Sequence, residues 1–329
     1  MRIHLLSKVL FRSRAARGCD HRPVPVAVLL FAVALLAGCA TRAPMPELRG
    51  AALELDAVPF YPQEQYQCGP AALATVLDWN GAAVTPEQLA PALMIPARKG
   101  SLQIELQAQA RAQGYVPFNV RGDLRAVQAE LAAGHAPLVL QNLAFDWKPV
   151  WHYAVVVGID PVARTVTLRS GRERRHVVGW TTFERTWARA AHWGLVILKP
   201  GALPATADPA QVLAAVAPFE EKRDWKVAEA VYESAAARWP RQTVFALGVA
   251  NSRYARGDRT GAEQAYRKVI AAFPDDPVAY NNLALVLADL GRWPEAERLA
   301  ARAVEIGGPL REEFLDTQRR IRQRTGSAD

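Results

Sequence analysis

Gln63-Glu64-Gln65-Tyr66-Gln67-Cys68-Gly69-Pro70-Ala71-Ala72-Leu73 is the stretch on which the reading of this chain turns. The residues behind the cysteine read as a helix from Ala71 to Trp79, with Gly-Pro at its first turn. That places the sulfur at a helix N-terminus, where the dipole favours thiolate over thiol. The chain has three cysteines, and Cys19 and Cys39 lie in or at the end of an export signal. Cys68 therefore has no evident disulfide partner. Export implies an oxidising compartment, where a spare thiol is a liability unless it is used. A buried apolar cysteine is the plain alternative. The nucleophile reading is preferred because a candidate base follows it in the sequence.

Residues 1–38 stand apart from the fold. Arg2, Lys8, Arg12, Arg14, Arg17 and Arg22 form a basic leader, and Val24 to Leu36 supplies an apolar run too short for a comfortable membrane span. The run ends Leu36-Ala37-Gly38-Cys39, which resembles the lipobox of bacterial lipoproteins. The resemblance implies that Cys39 becomes the lipidated first residue of the mature chain. Ala40 behind it resembles lipoproteins passed on to the outer membrane. The expected address is a bacterial envelope, periplasm-facing. The leader holds six Lys/Arg against one Asp, so the formal charge of +8 falls to +3 without it. The basic pI is thus largely a property of the leader, and no nucleic-acid partner is expected.

Beyond a tether at 39–57 the chain has two textures. Residues 58–200 mix helical segments, at 70–79, 85–94, 101–113 and 123–133, with strands at Pro137–Gln141, Tyr153–Ile159, Thr165–Leu168 and Gly194–Leu198. Helices first and antiparallel strands later predict an α+β domain. Residues 201–208 read as a linker. From 209 to 308 a period of 34 residues sets in: Ala228, Ala262 and Ala296 share one register, Tyr232, Tyr266 and Ala300 another, Pro240, Pro274 and Gly308 a third. Gly257 and Gly291 match as well, with Arg223 in that slot of the first copy. The pattern resembles three tetratricopeptide repeats, an all-α solenoid whose small residues let paired helices approach. A charged helix from Leu310 to about Gln323, within a tail at 309–329, would cap the stack.

A cysteine nucleophile needs a base within reach and a group to hold that base. His4 and His21 belong to the leader. His135 sits in a turn, His176 in a basic run and His192 in a loop. His152 differs: Trp151-His152-Tyr153-Ala154-Val155-Val156-Val157-Gly158 puts it at the start of a buried strand, held by rigid backbone. A purely structural histidine is the alternative there.

The two motifs together, Gln-x-x-x-x-Cys-Gly-Pro-Ala-Ala-Leu and His-Tyr-Ala-Val-Val-Val-Gly, are similar to the papain-like cysteine peptidases that remove double-glycine leaders during bacteriocin export. They are closer still to stand-alone relatives, some of them lipoproteins with tetratricopeptide repeats. The resemblance implies Cys68 as nucleophile, His152 as general base and Gln63 as oxyanion donor with the Cys68 backbone N–H. Transporter-linked members usually carry this Gln six residues before the Cys; here it is five, and Gln65 and Gln67 are alternatives. Those peptidases usually place an Asp sixteen to eighteen residues after the His, where this chain reads Leu168-Arg169-Ser170. Asp160 is the obvious substitute, but the strand from His152 to Ile159 would carry it roughly 23 Å away. With Asp160 to Arg164 as the turn, the returning strand brings Ser170 or Gly171 back beside His152. Ser170 is the expected orienting residue, with Asn142 the runner-up.

The predicted molecule is an α+β papain-like cysteine peptidase domain followed by a tetratricopeptide solenoid. The expected function is a lipid-anchored cysteine peptidase that cleaves a peptide or protein, its repeats recruiting a protein partner. Two alternatives stand: a catalytically impaired peptide-binding scaffold, and a transglutaminase-like acyltransferase on the same fold. No metal-ligand spacing and no cofactor motif appears. Arg169, Arg172, Arg174 and Arg175 read as a solvated hairpin that could also meet an acidic peptide.

Overall fold

A computed structural model describes residues 47–63, 67–94 and 100–325. The leader, Cys39 and Gln65 lie outside the described residues. The first domain is built on one antiparallel sheet: β1 (Leu53–Glu54), β2 (Val116–Asn119), β3 (Leu138–Asn142), β4 (Trp151–Asp160), β5 (Thr165–Ser170), β6 (Glu173–Gly179) and β7 (Gly194–Leu198). The order is β2-β7-β3-β4-β5-β6, with β1 pairing the far half of β4 through Leu53 and Ile159. Five helices accompany it: α1 (Cys68–Trp79), α2 (Pro86–Leu93), α3 (Gln103–Ala112), α4 (Leu124–Ala132) and α5 (Trp180–Ala188).

Helix α1 is apolar almost all round, and Gly69 to Leu77 are buried without a break. Such a helix has no solvent face and must sit inside the domain. Leu73 and Leu77 pack in one core with Leu138 and Leu140 of β3 and with Tyr153, Val155 and Val157 of β4. Truncating either leucine to Ala would cost about 2–5 kcal/mol. Two helices start on polar caps: Asp123 accepts from the Ala126 N–H at 2.8 Å, and the Thr85–Gln88 capping box precedes Pro86.

Four elements go beyond those read from the sequence: β1, β2, β6 and α5. Pro117 disguises β2, and it is tolerated because β2 is an edge strand. At the other edge, β6 has no buried residue and carries Glu173, Arg174 and Arg175, a charged edge that resists further pairing. Helix α5 opens Trp-Thr-Thr-Phe, a composition with weak helical propensity, and is held instead by burial of Trp180, Phe183 and Trp187.

The solenoid follows with α6 (Pro209–Glu221), α7 (Trp225–Arg238), α8 (Thr243–Ala255), α9 (Arg259–Ala272), α10 (Pro277–Asp289) and α11 (Trp293–Ile306), closed by α12 (Arg311–Thr325). Asp208, Asp224, Asp258 and Asp276 each accept a hydrogen bond from the backbone N–H three residues on. Ala228, Ala262 and Ala296 are fully buried where the paired helices meet. Gly257 and Gly291 take positive φ (85° and 76°), and Arg223 in the same slot adopts φ 59°.

Residues 201–208 form a packed joint. Ala207 joins a core that combines Val116, Phe118 and Val120 of the sheet side with Val212, Val216 and Phe219 of α6. Arg238 donates to the Pro204 and Ala205 carbonyls. The Glu130 carboxylate accepts from the Ala205 and Thr206 N–H groups, the Thr206 hydroxyl at 2.6 Å and His135 Nδ1 at 2.7 Å. Burial works to raise the pKa of Glu130, but these four bonds outweigh it and hold it below the usual carboxylate range.

Candidate active site

Cys68 is the first residue of α1, with Gln67 as the N-cap. The approach to it is held from both sides. Tyr61 donates to Asp78 of α1 at 2.8 Å, and Arg169, 2% exposed, donates to the carbonyls of Val58, Asp56 and Arg174. Arg169 is thus a buried clamp on the segment leading to Gln63, a correction to its reading as part of a solvated hairpin. Gly69 is required where it stands, since a Cβ there would lie 2.5 Å from Ser101 Oγ. That close approach brings the segment at Ser101 and Leu102 against the helix start, as one wall of a cavity.

His152 stands near the start of β4, opposite Gln141 of β3. Its Nε2 lies 2.8 Å from Ser170 Oγ. The contact depends on an irregularity in the β4–β5 pairing. From Asp160↔Thr165 to Gly158↔Thr167 the register is regular, then it shifts by one residue between Gly158 and Val156. Because side chains alternate faces, the shift puts Ser170 opposite Ala154 and on the His152 face. Without it Ser170 would oppose Val155 and point to the other side of the sheet.

Gln63 is buried and its amide orientation is fixed. Its Oε1 accepts from the Gly171 N–H at 3.1 Å, and its Nε2 donates to the Tyr153 carbonyl at 3.3 Å. Those two partners demand opposite ends of the amide, so the second Nε2 hydrogen remains for another acceptor. Gln67 is the helix N-cap and does not line the cavity. Asn142 is engaged elsewhere: its Oδ1 accepts from the N–H groups of Ala144 and Val150, organising the β3–β4 loop. Asp160 accepts from Val162 and Ala163 N–H groups in the β4–β5 turn, at the opposite end of β4 from His152.

Gln63, Cys68, His152 and Tyr153 line one cavity of about 1060 Å³, together with Ser101, Leu102, Leu140, Trp151, Arg172 and Arg189. Burial pushes the Cys68 thiol up; the N–H groups of Tyr153, Gly69 and Cys68 favour thiolate without cancelling that effect. Burial, helped by the neighbouring His176, pushes His152 down to about 4. The resting pair is therefore thiol and neutral imidazole, in contrast to the thiolate that the helix dipole alone would favour. Arg189 and Ser101 escaped the sequence reading. Arg189 closes a helix with weak propensity, and Ser101 is set beside the site only by the tertiary approach to Gly69.

Residues 55–194 match the family model described as the peptidase C39-like family, and residues 247–310 match a tetratricopeptide-repeat model. The chain thus carries a C39-like peptidase region followed by tetratricopeptide repeats, on an α+β domain and an all-α array. No curated protein matches the chain. Among solved structures, a C39-like peptidase from Bacillus anthracis is 16% identical over 46% of this chain and 98% of its own, with a TM-score of 0.38. The Yersinia enterocolitica type III secretion chaperone SycD, in complex with a peptide of the translocator YopD, is 18% identical over 35% of this chain and 93% of its own, with a TM-score of 0.33. The TPR2B domain of yeast Sti1 in its pHsp70 complex is 17% identical over 35% of this chain and 96% of its own, also at 0.33.

Proposed function

We propose that the chain is a lipid-anchored cysteine peptidase of a bacterial envelope, with repeats that hold a protein partner or present a substrate. The observation that carries this reading is the convergence of Cys68, His152 and Gln63 on one cavity, with Ser170 behind the imidazole. In this mechanism Ser170 holds Nε2, and Nδ1 takes the thiol proton as sulfur attacks a peptide carbonyl. The second Nε2 hydrogen of Gln63 and the Cys68 N–H stabilise the oxyanion. The imidazolium then protonates the leaving amine, and water releases the acyl group from sulfur.

The decisive experiment compares peptide termini in cells carrying wild type and Cys68→Ala. New termini that depend on the thiol support the peptidase; identical sets of termini overturn it. A second reading, a peptide-binding protein with little turnover, is favoured by the hydroxyl that stands where these peptidases usually have a carboxylate. The anchor is tested by mass spectrometry of the mature N-terminus: a diacylglyceryl group on Cys39 supports it, and an unmodified N-terminus removes it.

A further inference from the structure

The cavity around Cys68 has an unbalanced lining. Two arginines line it, Arg172 in the turn between β5 and β6 and Arg189 at the end of α5, and no carboxylate residue is among its described lining residues. Three carboxylates of neighbouring elements are engaged with other groups. Glu54 binds Arg175, Glu173 binds His176, and Glu184 binds His192. Arg189 is also fixed in place, because its Nη1 donates to the Ala144 carbonyl at 2.7 Å. Nη1 also reaches the Asn142 carbonyl at 3.5 Å, and these two bonds leave the Nε and Nη2 donors for an incoming group. The chain that follows is unusual too: Ala191 and His192 both take left-handed φ (51° and 52°) directly after Arg189 and Ala190. Strain of that kind persists only where surrounding structure enforces it.

The same rim has an apolar side. Trp151 and Val150, each 52% exposed, line the cavity, and the β3–β4 loop beyond them leaves Phe145 and Trp147 exposed as a stacked pair. A large amphipathic ring beside a charged fork is suited to a ligand with one bulky apolar residue and one anion.

We propose that the cavity takes an extended peptide with a carboxylate side chain, bound by Arg172 and Arg189, and a large apolar residue packed on Trp151. The proposal rests on the peptidase reading for its placement beside Cys68, and it specifies the substrate class of that site. Charge complementarity selects the occupant: a lysine-bearing peptide would bring a third cation into a cavity that already holds two unpaired guanidiniums among the described residues.

The test uses the full-length Cys68→Ser protein and hexapeptide pools with one position fixed as Glu, Gln or Lys, retention being read by mass spectrometry. Glu-fixed pools should be retained about tenfold better than Gln-fixed ones, the worth of one charge-assisted pair, with Lys-fixed pools retained least. Arg172→Gln, an exposed turn residue whose loss leaves the fold intact, should remove a large part of the preference, and Arg172→Gln with Arg189→Gln should abolish it. Equal retention of the three pools, failure to retain any pool, or a preference unchanged in the double variant overturns the proposal. Turnover is read separately: if wild type leaves the retained Glu peptides uncut, the peptidase reading falls while the binding preference stands.

Discussion

Protonating His152 would place a positive charge 2.8 Å from the Ser170 hydroxyl, and a hydroxyl dipole offsets that charge less than a carboxylate does. Burial, helped by His176, keeps the imidazole neutral down to about pH 4, and desolvation holds the proton on the half-buried Cys68 thiol at neutral pH. Alkylation of Cys68 by iodoacetamide should accordingly be slow at pH 7 and rise with pH. Ser170→Asp supplies the missing charge, and an adjacent opposite charge moves a pKa by about 1–3 units. We expect that variant to label about tenfold faster at pH 7, with its rise shifted to lower pH; an unchanged profile would show that Ser170 does not set the state of the pair. The same imidazole affects stability in acid. Its folded pKa lies below the unfolded value of 6.5, so between about pH 6.5 and 4 the unfolded chain binds a proton that the folded one refuses. Stability should fall as pH drops through that window, and His152→Gln should flatten that part of the profile in urea titrations.

At the scale of elements, what was legible followed periodicity, and what was not followed tertiary context. The helix behind Cys68, the strand from His152 and the 34-residue register all carry regular spacing, so each could be read without neighbours. The return of Ser170 to the His152 end of the sheet was legible from the length of the β4–β5 hairpin, but the face it occupies was not, because that depends on the register shift between Gly158 and Val156. Strand β2 was hidden because its proline is acceptable only at an edge, and whether a strand is an edge is a fact of topology. The clamp at Arg169 was hidden for a related reason. An arginine in a basic run looks solvated until three backbone carbonyls are found around it. Arg223 offers a quantitative check on the repeats. It holds the left-handed conformation that Gly257 and Gly291 adopt in later copies, at a cost of about 1–2 kcal/mol for a residue with a Cβ. Arg223→Gly should stabilise the protein by about 0.5–1 kcal/mol after the added freedom of the unfolded chain is counted. Chemical denaturation measures it, and a loss of stability would mean that the Arg223 side chain contributes more than its backbone costs.

Across the whole molecule, the composition change near residue 200 suggested two separable parts, and the structure joins them. Val116, Phe118, Val196 and Leu198 on the sheet share a core with α6, and Glu130 fastens Ala205 and Thr206 from the peptidase side. The Glu130 bonds are not legible locally, because they link residues 75 and 76 positions apart. Glu130→Ala would leave buried donors without an acceptor, and we expect a loss of about 3 kcal/mol in urea unfolding. A chain ended at residue 200 would expose the apolar side of β2 and β7, and should aggregate where the full chain does not. We expect the joint to couple the melting of the two parts, because α6 cannot leave without uncovering the sheet that supports His152. Mass action on one part is then felt by the other. A ligand gripped by the repeats alone should protect Cys68 from alkylation in partial denaturant, without ever touching the sulfur.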